Sequence, residues 1–119
     1  MHRACEEALL ACEAAIAPGN TMGDVFSAHA DVLDVAGYRK HRLNACGYGM
    51  GAVYAPVWTD WPMIYEGNPL VFEADQAYFL HMILLDLDDQ RAMTLGHTVA
   101  VTETGCERLS RSPLDLVLA

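Results

Sequence analysis

The sequence predicts an α+β domain, in which two amphipathic helices are followed by a curved antiparallel sheet. Three observations carry that reading. Apolar residues recur at helical spacing over the first 36 positions, interrupted by Pro18-Gly19. Ala77 to Leu87 is a nearly continuous apolar run, the pattern of a strand buried on both faces. Asp88-Asp89-Gln90 then marks a hairpin turn, after which Ala92 to Thr102 returns as a β-branched strand ending at Thr104-Gly105. At 119 residues the chain has room for one core, so positions 1–119 are read as one domain.

The first helix is set by Cys5, Leu9, Cys12 and Ile16, joined by Ala8 and Ala15. Pro18-Gly19 ends it, because proline cannot continue a helix and glycine tolerates the left-handed cap. Thr21-Met22-Gly23-Asp24 reads as a capping box with Asp in place of the usual Glu. Val25, Phe26, His29, Leu33 and Ala36 form the apolar stripe of the second helix, which makes His29 a structural residue. Asp24, Ser27, Asp31 and Asp34 form its wet side, and Gly37 is placed to stop it. Asn44 to Gly51 carries glycines at 47, 49 and 51, as in a strand or turn that another backbone approaches closely. Ala55 to Pro69, with three prolines and both tryptophans, reads as an ordered loop.

Composition excludes several functions. Seven Lys+Arg against 16 Asp+Glu give a net charge of −9, the wrong sign for phosphate neutralisation, so no nucleic-acid partner is expected. The one basic run, Arg39-Lys40-His41-Arg42, is too short to reverse this and reads as a solvated loop. No stretch reaches the roughly 18 apolar residues of a membrane helix. Glu6 and Glu7 stand where a signal peptide would be apolar, so a cytoplasmic location is expected. Cys5, Cys12, Cys46 and Cys106 form no C-x-x-C pair and read as reduced thiols, the first two buried on one helical face. There is no G-x-S-x-G elbow, no P-loop and no dinucleotide fingerprint.

Three phrases carry a resemblance. Ala14 to Asp24 (AAIAPGNTMGD), Asp34 to Tyr38 (DVAGY) and Val99 to Leu109 (VAVTETGCERL) are similar to segments of the Xaa-Pro peptidase, prolidase and creatinase superfamily, the pita-bread fold. The chain resembles the C-terminal half of that catalytic domain. The resemblance implies a hydrolase of small C–N substrates whose family chemistry uses two Asp, one His and two Glu to hold a pair of divalent ions. Such ions polarise a carbonyl and acidify a bridging water. The two Asp lie N-terminal of the region that this sequence resembles. Of the other ligands, the metal-binding His falls on Tyr48, one Glu on His81 and the last Glu on Gly96. Glycine offers no ligand and a phenol is a poor one for a hard dication, so no metal and no cofactor are expected. Gly47-Tyr48-Gly49-Met50-Gly51, followed by Pro56 and Trp58, is similar to a metal-poor branch of creatinase-like and ectoine-hydrolase-like proteins that act on small zwitterions.

The candidate site follows from these positions. His81, inside an apolar strand, and His97, beside the lost Glu, are the candidate acid–base residues. Tyr48 is a candidate to orient a substrate carboxylate, and His41, with Arg42, to bind one. Trp58, with Trp61 and Asp60, could form an aromatic box for a cation. For each, the competing role is structural: a core imidazole, a space-filling phenol, an anchored loop. The expected protein is the C-terminal part of a Xaa-Pro dipeptidase- or creatinase-like hydrolase, inactive as an isolated chain, a pseudoenzyme binding a small zwitterion. The alternative is a non-catalytic binding or dimerisation domain built on the same half-fold. A homodimer is expected in either case, because two neighbouring strands that are apolar on each face would leave a large surface wet.

Overall fold

The computed structural model describes residues 1–51, 56 and 59–118. Among them, helices α1 (His2–Ala15) and α2 (Met22–Val35) precede strands β1 (Ala45–Gly49), β2 (Met63–Tyr65), β3 (Ala77–Asp86), β4 (Arg91–Val101) and β5 (Cys106–Arg108). The strands form one antiparallel sheet in the order β2-β1-β3-β4-β5. Both helices pack on the same side of it, α1 over β3 and β4 and α2 over β1 and β2.

The local signals act as their chemistry requires. The Thr21 hydroxyl accepts from the Asp24 backbone N–H at 3.1 Å, while Asp24 accepts from the Thr21 N–H at 2.9 Å, which closes the capping box. Gly37 takes a positive φ (85°) directly after the end of α2. By contrast, α1 already stops at Ala15 with an extended cap at Ile16, and Gly19 (φ 89°) lies in the turn beyond it rather than capping the helix. The hairpin turn is tied by Asp86, whose carboxylate accepts from the Asp89 N–H at 3.2 Å and pairs with Arg91 at 3.2 Å. The close approach expected around Gly47 is real. A Cβ there would lie 2.7 Å from the Phe79 carbonyl oxygen across the β1–β3 ladder.

The core lies between helices and sheet, built from Leu9, Val25 and Leu33 on the helices, Ile16 just past the end of α1, and Ile64, Leu80, Met82 and Val99 beneath them. Cys5, Cys12 and Cys46 are buried in it, and all four cysteines are free thiols. His29 is also in the core, 1% exposed, with its Nδ1 lacking a hydrogen-bond partner among the described residues.

Four sequence expectations need correction. The 77–87 run is not buried on both faces: β3 alternates, with Tyr78, Leu80, Met82 and Leu84 buried and the other side only half covered. The apolar residues at 79, 83 and 85 had hidden that alternation. The 55–69 stretch contains a short strand, β2, which pairs Met63 with Tyr48. The chain after Gly105 adds an edge strand, β5. The 39–42 run is not wholly solvated either. Arg42 makes a two-point contact with Asp34 (Nε–Oδ1 2.6 Å, Nη2–Oδ2 3.2 Å) and lies 5.5 Å from the Phe26 ring centre. That contact ties the loop after α2 back to α2 itself.

Candidate functional site

The side of the sheet away from the helices carries the positions singled out by sequence. Register fixes which of them meet. Tyr48 pairs with Phe79 and His81 pairs with Gly96, so all four share the open side. Their side chains form a row in which the Tyr48 and Phe79 ring centres are 5.5 Å apart and those of Phe79 and His81 5.2 Å. The row extends over Gly96, where an added Cβ would lie 2.5 Å from Phe79 Cζ and 2.8 Å from the Leu80 carbonyl oxygen. His81 Nε2 is 2.7 Å from the Thr94 hydroxyl, which orients the ring. Burial lowers the His81 pKa and raises that of Tyr48, so near neutral pH both are uncharged. On the open side, β3 presents positions 77, 79, 81, 83 and 85 and β4 presents 92, 94, 96, 98 and 100; none is Asp, Glu, Lys or Arg. Beside the row lies a pocket of about 310 Å³ between Leu43, Tyr48, Met63 and Ile83.

The other expected site residues lie elsewhere. His97 faces the helices, 1% exposed, and so is not brought to His81; one step along the strand from Gly96 reverses its side. Its Nδ1 is 2.7 Å from Glu13 Oε1, and the same carboxylate holds Arg108 at 3.0 and 2.5 Å. His41 sits at the far end of β3, its Nδ1 3.2 Å from the Leu85 carbonyl, away from Tyr48. Arg42 is committed to Asp34. Trp58 lies outside the described residues. Trp61 is exposed, with its backbone N–H donating to Asp60 at 2.8 Å.

Sequence reading passed over Phe79, Thr94 and Glu13. The hairpin turn determines the first two, because it places Thr94 and Gly96 on the His81 side. Glu13 gives no such signal, since its partners are 84 and 95 positions away. Burial alone would raise the Glu13 pKa, but the Arg108 and His97 contacts outweigh it and hold the carboxyl below its usual range. This carboxylate fastens α1 to β4 and β5. Glu13→Ala is expected to cost about 2 kcal/mol in a urea unfolding curve, reduced from a fully buried pair because Arg108 is partly solvated. Glu13→Gln should lose less. Equal stability of all three proteins would show that Glu13 does not clamp α1 to the sheet.

A pair of divalent ions does not fit this face. The three positions matching family ligands supply one phenol, one neutral imidazole and no side chain at all, and the Phe79 ring occupies the space beside Gly96. Among the described residues, no group of three or more His, Cys, Asp or Glu could hold a metal.

Two helices layered on one side of an open five-stranded antiparallel sheet define a domain of the pita-bread fold class. The sequence profile of metallopeptidase family M24 matches residues 1–103, and the chain belongs to that family. It is 27% identical to the uncharacterized hydrolase/peptidase y4tL of Sinorhizobium fredii over 120 aligned residues, 98% of this chain and 29% of y4tL. Among solved structures, it matches dipeptidase PepE from Mycobacterium ulcerans with a TM-score of 0.85 and 27% identity, over 97% of this chain and 30% of PepE. It also matches a Xaa-Pro dipeptidase from Bacillus anthracis with a TM-score of 0.85 and 20% identity, over 98% of this chain and 31% of that one. The chain thus spans about 30% of the length of these relatives. None of its described helices is long and apolar enough to cross a membrane.

Proposed function

We propose that this chain corresponds to the C-terminal part of a Xaa-Pro dipeptidase- or creatinase-like hydrolase domain, that it does not hydrolyse by itself, and that its open sheet face serves as a binding wall. The observation that carries this reading is the Phe79 ring beside Gly96, at the position where the family resemblance calls for a carboxylate. An aromatic ring in that space supplies apolar contact and no metal ligand. The test is an assay of the purified chain on Xaa-Pro dipeptides and creatine with Mn²⁺, Co²⁺ or Zn²⁺ added. The expected rate equals that of buffer; metal-dependent turnover would overturn the proposal.

The same face supports a homodimer. It carries no formal charge on β3 and β4, whereas the chain as a whole bears −9, so two copies meet with least repulsion there. Phe79 is half-buried and Leu85 is exposed, both outside the lining of the pocket, so apolar area is available for covering beside it. A standard interface removes about 800 Å² per partner from water. Light scattering at micromolar concentration should report twice the mass of one chain; a stable single-chain species would contradict the dimer. The compartment we propose is the cytoplasm, where the four free thiols stay reduced.

A further inference from the structure

We propose that the pocket between β1, β2 and β3 binds a small, flat, uncharged organic molecule of about the size of indole or phenol. This deepens the reading of the face as metal-free and rests on it. The volume, about 310 Å³, is at the lower end of ligand pockets and suits a compact ring system. Its walls are Leu43, Met63 and Ile83, with the Tyr48 ring on one side and the Met63 thioether able to adapt to a flat surface. Tyr48, Thr59 and His81 place polar atoms at the edge of this apolar lining, with His81 Nε2 engaged by the Thr94 hydroxyl.

Charge decides the ligand class. Among the described residues lining the pocket none is Asp, Glu, Lys or Arg, and His81 is held neutral by burial. Arg42, the basic residue that the sequence offered for a carboxylate, is bound at two points to Asp34. A zwitterion would therefore meet no charged partner among these residues and would lose hydration wherever its charges touch the apolar walls. A neutral aromatic molecule avoids that cost and gains ring contact with Tyr48.

The test is a proton–nitrogen NMR titration of the whole chain in EDTA with indole, and in parallel with the zwitterion Gly-Pro. Indole should give saturable shifts at Leu43, Tyr48, Met63 and Ile83, and Gly-Pro should bind at least tenfold more weakly. Ile83→Trp and, separately, Met63→Trp fill the pocket from two strands; each should weaken indole at least tenfold, judged in whichever variant keeps the parent's dispersed spectrum. Absence of saturable shifts, shifts confined to other surfaces, or Gly-Pro binding as tight as indole would overturn the pocket assignment while leaving the metal-free reading intact. Binding that appears only when Mn²⁺ replaces EDTA would defeat both.

Discussion

Gly96→Ala is expected to destabilise the protein by about 3 kcal/mol, and Gly96→Glu, which restores the acidic residue of the family resemblance, by at least as much. The cost comes from two contacts of different kinds. The Phe79 Cζ, 2.5 Å from the added Cβ, is the end of a side chain and can swing away. The Leu80 carbonyl oxygen, 2.8 Å away, belongs to the β3 backbone and can retreat only by loosening the β3–β4 ladder. Phe79→Leu should therefore recover only part of the loss when combined with Gly96→Ala. Urea unfolding of the parent, both single variants and the double variant gives the coupling directly. A Gly96→Ala protein as stable as its parent would show that the strands are not apposed as described. Gly96→Glu should also gain no metal affinity, because one carboxylate beside a phenol and a neutral imidazole is still short of a site.

Acid should weaken the fold through His29 before most carboxylates titrate. Burial first, and the Arg42 charge second, lower its pKa from about 6.5 to about 4. Above pH 6.5 the imidazole is neutral in both folded and unfolded chains and the effect is absent. As pH falls below 6.5 the unfolded chain takes up a proton that the folded chain refuses until about pH 4. Stability is lost across that window and the loss levels off below it. A shift of this size corresponds to about 3 kcal/mol in total. His29→Leu keeps an apolar side chain on the core stripe of α2 and cannot be protonated. The difference in unfolding free energy between parent and variant should therefore move by about 3 kcal/mol in the variant's favour from pH 7.5 to pH 4. Parallel curves for the two proteins would mean that His29 finds a proton partner in the folded chain.

Much of the scaffold is legible in the sequence because its signals are local. Thr21 and Asp24 cap α2 within one turn, Gly37 stops it, and Asp86 with Arg91 closes the β3–β4 hairpin. Once that hairpin is placed, register alone pairs His81 with Gly96 and turns His97 to the helices. The sequence pattern was weaker where two chemistries overlap. Phe79, Ile83 and Leu85 are as apolar as the buried residues between them, so β3 read as buried on both sides when only one side is packed. β2 was hidden among prolines, and its pairing with β1 depends on partners 15 to 20 residues apart rather than on its own three residues. The Glu13 clamp depends on contacts across most of the chain, which no periodicity encodes. In the candidate site, the ligand positions Tyr48, His81 and Gly96 were identifiable by resemblance. What fills the space between them, the Phe79 ring, became visible only in three dimensions.

The most direct test of the central claim, that this face has exchanged metal chemistry for apolar binding, is elemental analysis of the chain purified without chelator and dialysed against Mn²⁺, Co²⁺ or Zn²⁺. A face that offers a phenol, a neutral imidazole and a glycine should retain no stoichiometric ion. Two tightly held ions per chain would contradict it.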